Sequence, residues 1–159
     1  MQKLDNIIGI DIGGTKISMV IAKSDGDILK KEIIPTEATK PPKGTLDRVK
    51  KTIRGLMKDL GLKGKDIKGI GIGCVGPLDP ESGILHSTPN LPMWRDVHIK
   101  DEISSGFDLP IVMDNDANAA ALGEKLFGAG RNVRNLFYYT ISTGIGGGLI
   151  IDGRIYQGA

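Results

Sequence analysis

The chain has 159 residues, of which 40% are hydrophobic and 25% charged, and its formal net charge is +2. These values are typical of a soluble globular protein, and the dispersed charge and 4% aromatic content argue against a nucleic-acid-binding surface. Asp5 and Asp11 interrupt the first apolar stretch, which excludes a signal peptide or membrane span there and predicts a cytoplasmic protein without membrane partners.

Strand patterns occupy the first part of the chain. Apolar runs predict strands over residues 7–12, 17–22 and 28–34. The dipeptides Gly13-Gly14 and Asp25-Gly26 between them favour tight hairpin turns, so we expect an antiparallel meander. After a proline-containing stretch, Thr45 is a candidate N-cap for a helix that ends at Gly61.

Strands and helices alternate in the remainder of the chain. Strands are predicted over residues 67–75, 111–113, 136–142 and 148–151, with helices over 99–105 and 115–127. Such alternation is typical of parallel pairing, and the alternate glycines of the strand at 67–75 leave room for a close neighbour. We predict an α/β protein with one domain over residues 1–120 and the first strands of a second, similar domain over 121–159.

A glycine turn follows the first predicted strand. A Gly-Gly pair between strands is often only a hairpin, but here Asp11 precedes Gly13-Gly14, and Thr15 and Lys16 follow it. Glycines allow backbone N–H groups to approach a phosphate closely, and the threonine hydroxyl and the lysine add a donor and a charge. A carboxylate at the end of the strand can hold a hydrated Mg²⁺ ion.

A second glycine turn spans residues 143–148, with Thr143, Gly144 and Gly146 as candidate phosphate contacts. The Walker A pattern is absent, and a strand rather than a helix follows this turn, so a dinucleotide fingerprint is absent as well. Two glycine turns with carboxylates between them favour phosphoryl transfer.

The segment 114–118, Asp-Asn-Asp-Ala-Asn, lies between the two turns at the start of a predicted helix. An aspartate there is often a helix cap or a partner of the helix dipole. Asp116 could alternatively accept a proton from a substrate hydroxyl while the neighbouring Asn115 binds another polar group.

Five motifs, in this order, resemble those of the ROK family of sugar kinases and repressors, within the actin-like ATPase superfamily of ribonuclease H-like domains. They occupy residues 9–16, 71–79, 88–94, 114–120 and 143–148. The resemblance implies that Asp116 is the general base, that Asp11 binds Mg²⁺, and that the two glycine turns bind ATP. It also implies sugar contacts by Gly76, Thr88, Asn90 and Asn115.

The resemblance implies ATP-dependent phosphorylation of a hexose at its 6-hydroxyl, and the Pro-Asn-Leu form of the segment 88–94 favours glucose. The alternative is a non-catalytic, sugar-sensing ROK module. Family motifs expected after residue 159, a Glu-x-Gly-His segment and a zinc cluster, are not in this sequence, so we expect an incomplete kinase that is inactive by itself. An unpaired strand edge would then promote a homo-oligomer.

Four further residues are of types that often have functional roles, and each is assigned a structural or surface role instead. Trp94 is expected to be a packing anchor, and Cys74 a small buried residue, because it lies in an apolar run. His86 and His98 have no second ligand at metal-binding spacing, which favours surface or structural roles.

Overall fold

The computed structural model describes residues 5–141 and 144–157. Along these residues the chain forms β1 (Asn6–Ile12), β2 (Lys16–Lys23), β3 (Ile28–Pro35), α1 (Pro42–Asp59), β4 (Ile67–Cys74), β5 (Leu78–Asp79), β6 (Ile84–Ser87), β7 (Arg95–His98), α2 (Ile99–Ser104), β8 (Ile111–Asn115), α3 (Asp116–Leu126), β9 (Leu136–Ile141), β10 (Ile145–Ile151) and β11 (Arg154–Ile155). The predicted α/β class is confirmed.

The largest sheet has five strands in the order β3-β2-β1-β4-β8. Its first three strands form the predicted antiparallel meander, whereas β4 pairs with β1 and β8 pairs with β4 in parallel. Two consecutive parallel pairs require crossover connections, and α1 and α2 lie in those connections. The sheet is therefore mixed, and its parallel half brings together the carboxyl ends of β1, β4 and β8.

The core lies between this sheet and helices α1 and α2, and isoleucine, leucine and valine side chains dominate it. Helix α1 begins at Pro42, three residues before the predicted cap Thr45, so that prediction is wrong. Proline is well tolerated in the first turn, where its missing N–H group would have no helical acceptor. The buried Thr45 hydroxyl instead donates to the carbonyl oxygen of Thr36 (2.9 Å). The helix ends at Asp59, close to the predicted Gly61, which has a positive φ.

A small antiparallel sheet, in the order β5-β6-β7, was not predicted from the sequence. Its strands have only two to four residues and are largely polar, so neither their length nor their periodicity distinguishes them from loops. Leu85 of β6 pairs with Val97 of β7, and both are buried. This sheet supports the loop 88–94 that joins β6 to β7.

A third sheet, in the order β11-β10-β9, packs one face against α3. Strand β10 begins at Ile145, three residues before the predicted start at Gly148, because the glycines of this region pair with β9 instead of forming a turn. The division into domains near residue 120 stays a prediction. Within the described residues, no helix combines the length and apolarity that crossing a bilayer would require.

Candidate active site

The candidate site forms where three parallel strands of the five-stranded sheet end. Asp11 of β1 is in register with Gly73 of β4, which in turn is in register with Asp114 of β8. One residue further, Ile12, Cys74 and Asn115 are aligned in the same way. Ligands of open α/β sheets bind at the carboxyl ends of strands. Residues that lie far apart in the sequence therefore share one edge of the sheet.

Glycine in β4 allows helix α3 to start close to this edge. A Cβ atom on Gly73 would lie 3.3 Å from Ala119 Cβ and 3.7 Å from Asp116 Cα, so a larger residue would push the helix away. The predicted close neighbour is thus confirmed at this position. At Gly71 no atom lies within 4 Å of such a Cβ, and the space beside it is open.

The start of α3 presents two adjacent polar side chains. Asn115 is the N-cap, and its Oδ1 accepts from Ala117 N at 3.0 Å. Asp116 is the first helical residue, and its Oδ1 accepts from the same N–H at 2.8 Å. The helix-terminus interaction considered for Asp116 is therefore present, with Asn115 as the cap. Both side chains remain partly accessible.

Two carboxylates interact electrostatically across the edge. The pKa of Asp11 is raised, first because surrounding protein atoms partly desolvate its carboxyl group and then because Asp116 is negatively charged, whereas Lys16 lowers it. Burial, assisted by the charges of Asp116 and Asp11, raises the pKa of Cys74 to about 12. Cys74 is fully buried, as predicted, and its thiol stays protonated and unreactive at neutral pH.

The first glycine turn has free backbone donors. Gly13 N donates to Lys16 O at 3.1 Å, which closes the turn. Among the described residues, the N–H groups of Gly14 and Thr15 donate no hydrogen bond to a protein acceptor. Two adjacent amides without partners can donate to phosphate oxygens.

Thr36, at the end of β3, holds this turn and was not identified from the sequence. Its hydroxyl donates to Gly13 O at 2.7 Å, and its N–H donates to Thr15 O at 3.0 Å. The residue is completely buried, and its own carbonyl oxygen accepts from Thr45. The turn is therefore fixed by a buried threonine 21 residues or more away in sequence, for which no local pattern gives a signal.

The loop 88–94 contacts the first glycine turn. A Cβ atom on Gly14 would lie only 2.9 Å from both Cβ and O of Asn90, so the glycine permits this approach. Thr88 is buried, and its hydroxyl accepts from Asn90 N at 3.4 Å, which stabilises the loop. Trp94 is completely buried, as expected of a packing anchor. Gly76 also adjoins the site, since a Cβ there would lie 3.3 Å from Asn115 Nδ2.

The second glycine turn lies partly outside the described residues, which do not include Thr143. Gly144 is exposed, whereas Gly146 belongs to β10, where an added Cβ would lie 3.1 Å from Thr140 Cγ2 and 3.5 Å from Ala117 Cβ. Gly146 therefore lies beside the first turn of α3, at Ala117. Close packing explains why position 146 holds a glycine, and the role of Gly146 in nucleotide binding stays a prediction.

A groove of about 710 Å³ opens between the five-stranded sheet and α3. Its polar lining includes Asp11, Asp114, Asp116 and Asn118, and Thr140 contributes from β9. Asp116 therefore faces a concave surface shared by the sheet and the strands that follow α3. This satisfies a geometric requirement of a site in which that carboxylate meets a bound substrate.

The donor set at this edge fits Mg²⁺ but not a site formed by protein ligands alone. Within the described ranges, no cluster of three or more His, Cys, Asp or Glu side chains could hold a metal ion. Mg²⁺ commonly uses one or two carboxylates together with water and substrate phosphates. Asp11 suits this role, since a cation beside it would offset both the desolvation and the negative charge of Asp116, which raise its pKa. His86 and His98 lie on the surface, each beside an aspartate.

Known proteins resemble this chain over nearly its whole length. The ROK family profile matches residues 7–159. A glucokinase of Streptomyces coelicolor is 36% identical over 151 residues, which are 95% of this chain and 45% of that protein. A xylose repressor of Caldicellulosiruptor bescii is 35% identical over 158 residues, which are 99% of this chain and 39% of the repressor.

A solved structure agrees with these matches. The ROK family glucokinase from Streptomyces griseus, in complex with glucose and AMPPNP, superposes with a TM-score of 0.84 at 34% identity, covering 97% of this chain and 47% of that chain. The chain thus spans about half the length of the relatives that it matches. Since the family profile extends over 7–159 and the architecture agrees, this protein belongs to the ROK family.

Proposed function

We propose that this chain provides the acceptor-sugar side and the first phosphate turn of an ATP-dependent hexose kinase, with glucose as the favoured substrate and its 6-hydroxyl as the acceptor. The observation that carries the proposal is the alignment of Asp11, Gly73 and Asp114 on parallel strands. This alignment brings Asp116 within electrostatic range of Asp11, at the same edge as the amides of Gly14 and Thr15.

Each candidate residue has a role that suits its chemistry. Asp116 would accept the proton of the acceptor hydroxyl, which makes the oxygen a better nucleophile. Asn90, Asn115 and Gly76 would contact other sugar hydroxyls, and Thr88 would support them by holding the loop around Asn90.

The phosphates would be bound at the other side of the site. The amides of Gly14 and Thr15, the Lys16 ammonium group and the second glycine turn at 143–148 would donate to their oxygens. Asp11 would hold Mg²⁺, which when bound neutralises negative charge on the phosphates. A cytoplasmic location, where ATP is available, stays a prediction.

A non-catalytic sugar-sensing module is the second candidate. It is favoured by the 35% identity to a xylose repressor, which is close to the 36% identity to a glucokinase. Both candidates need the sugar contacts, but only the kinase needs the base and the phosphate turns.

A coupled assay of ATP consumption distinguishes the two. It is run over a panel of hexoses on this chain and on a form extended past residue 159, with sugar binding followed through the single tryptophan, Trp94. Turnover in the extended form supports the kinase, whereas sugar binding without turnover in either form supports the sensor. Failure to bind or phosphorylate any hexose would contradict both.

Asp116→Asn tests the assignment of the base. We expect the variant to lower the turnover of the catalytically competent form by about 10²- to 10⁴-fold, because the amide cannot accept the proton. Thermal unfolding is expected to change little, since an amide oxygen can still accept from Ala117 N. Asp108→Asn, an exposed position before β8, is the matched control. Turnover near that of the unmodified protein would refute the assignment.

A further inference from the structure

Asp114 is the carboxylate of this edge to which the proposed function gives no role. Both of its oxygens are occupied: Oδ1 accepts from Asn115 N at 2.6 Å and from Asn118 Nδ2 at 2.9 Å, and Oδ2 accepts from Gln157 Nε2 at 2.7 Å. A carboxylate with three donors already bound is poorly suited to accept a further proton from a substrate. Its position nevertheless adjoins the residues proposed to bind the sugar.

These bonds join three separate segments. Asn115 ends β8, Asn118 lies in the first turn of α3, and Gln157 follows β11, 43 residues after Asp114. The backbone of Asn115 is thereby fixed directly before the N–H of Ala117, from which both Asn115 and Asp116 accept. Loss of the bonds to Asp114 would release the start of the helix that orients both side chains.

The third bond reaches a different sheet. Gln157 comes after the short strand β11, whose sheet also contains β9 and β10. Asp114 belongs to the five-stranded sheet. The contact thus connects the end of the five-stranded sheet, where Asp114 lines the same groove as Asp116, to the segment that leaves the β9–β11 sheet.

We propose that Asp114 is a positioning residue, whose hydrogen bonds with Gln157, Asn118 and the Asn115 N–H hold the Asn115-Asp116 pair in its orientation toward the groove. We call this set of hydrogen bonds the clasp. The consequence for turnover rests on the proposed function. The clasp itself does not, because it concerns only hydrogen bonds within the chain. A carboxylate suits the position since it is charged and accepts at both oxygens, whereas an asparagine would offer one neutral acceptor oxygen to the three donors.

A charge-swap series on this chain tests the clasp. The variants are Asp114→Asn, Gln157→Glu and the double variant, with Asp108→Asn as the control. In Asp114→Asn the side chain loses its charge and keeps one acceptor oxygen for three donors, and in Gln157→Glu two carboxylates face each other. In the double variant the amide at position 114 can donate to the carboxylate at position 157, which restores the pair with its polarity reversed.

Backbone hydrogen exchange measured by NMR is the primary readout. We expect each single variant to increase the exchange rates of the Asn115 and Ala117 amides by roughly tenfold or more, as for loss of one charge-assisted hydrogen bond. In the double variant, these exchange rates should return most of the way to those of the original protein. Met19, in the centre of β2, serves as the reference amide for global unfolding. Unchanged exchange in Gln157→Glu, or a double variant no closer to the original protein than the single ones, would overturn the clasp.

A glucose titration followed through Trp94 separates this proposal from the proposed function. If the original chain binds glucose, we expect Asp114→Asn to weaken the affinity several-fold, the double variant to recover it, and Asp108→Asn to leave it unchanged. Equal affinity in all variants would contradict the orientation of Asn115 by the clasp. If neither the original chain nor the form extended past residue 159 binds a hexose, the proposed function is contradicted, and hydrogen exchange still decides whether the clasp exists.

Discussion

The ionised carboxylate of Asp11, which the proposed Mg²⁺ site needs, lowers the stability of the folded chain. This carboxylate lies at the end of β1, partly desolvated and near the negative charge of Asp116, and both effects raise its pKa. The folded protein therefore binds a proton at Asp11 more tightly than the unfolded chain does, so the ionised carboxylate at neutral pH costs stability. Such a cost is expected where a bound cation supplies the missing positive charge.

Asp11→Asn is expected to stabilise the chain at pH 7 while weakening nucleotide binding in the presence of Mg²⁺. The gain should be at most about 1 kcal/mol, because the side chain keeps solvent contact that screens its charge. Stability of the original protein falls as pH rises through the raised pKa, so the gain should vanish as pH falls below the ordinary carboxyl pKa of about 4. Urea unfolding between pH 3.5 and 8 measures it. A variant that is less stable at pH 7, with Asp108→Asn unchanged, would contradict this account.

Thr36 has the opposite character, since it contributes both to stability and to the site. Thr36→Val keeps the shape of the side chain but removes the donor to Gly13 O. We expect a loss of about 1–3 kcal/mol in the free energy of unfolding, the cost of leaving a carbonyl group unsatisfied. Binding of AMPPNP should also weaken, because the turn with the free amides becomes less ordered.

Urea unfolding and AMPPNP titration measure the two effects of Thr36→Val. Thr52→Val, in the partly accessible part of α1, is the matched control. Unfolding like that of the control would show that Thr36 does not hold the turn.

At the scale of elements, glycines set how closely strands and helices approach. Gly148 of β10 faces α3, where an added Cβ would lie 2.5 Å from Ala117 O and 2.7 Å from Ala121 Cβ. The obstruction at Ala117 O is backbone, which cannot move without displacing the helix that carries Asp116. The glycine-rich segment therefore positions the candidate base through packing.

Gly148→Ala should destabilise the chain by about 1–3 kcal/mol or more, as expected for overpacking against backbone. Gly71→Ala is the matched control, since it is also a strand glycine but has open space around its Cβ position. We expect the control to change stability by less than about 0.5 kcal/mol. Chemical unfolding of both variants measures the difference, and similar values would contradict a packing origin for Gly148.

The whole molecule leaves one apolar face of a sheet uncovered. On β9 and β10, the side opposite α3 presents a row of large apolar side chains: Phe137, Tyr139, Ile141, Ile145 and Ile151. Ile141 and Phe137 are 73% and 64% exposed. Contiguous apolar surface of this kind commonly marks an interface, and β9 is also the terminal strand of its sheet.

We therefore expect the chain to self-associate through the β9–β10 face. Sedimentation velocity over a range of concentrations should show a homo-oligomer, and Phe137→Lys should shift it toward monomer, because the new charge would be buried on association. Ile28→Lys, at an exposed position on β3, is the control for added charge. A chain that stays monomeric at high concentration, or a control that dissociates equally, would contradict the expectation.

Much of the fold follows from local patterns. The strands of the meander, β4 and the helix α3 were predicted within a few residues, because alternation, glycine turns and a cap are properties of neighbouring residues. The start of α1 was misplaced because a proline, which suggested a loop, also fits the first turn of a helix. The start of β10 was misplaced because its three glycines, which suggested a turn, also fit a sheet. The strands β5, β6 and β7 were missed because they are too short to show a period.

The candidate site, like the fold, has features that local sequence predicts and features that it does not. The sequence by itself determined which residues could act, since Asp11, the first glycine turn and Asp116 belong to short motifs whose chemistry is visible in their residue types. Only the tertiary structure decided which of these residues meet and what holds them there, because that depends on strand register and on hydrogen bonds between distant segments. Thr36 under the first turn and Gln157 on Asp114 are such partners, and neither lies within a motif, since a hydrogen bond across 23 or 43 residues requires only a suitable donor and the folded geometry.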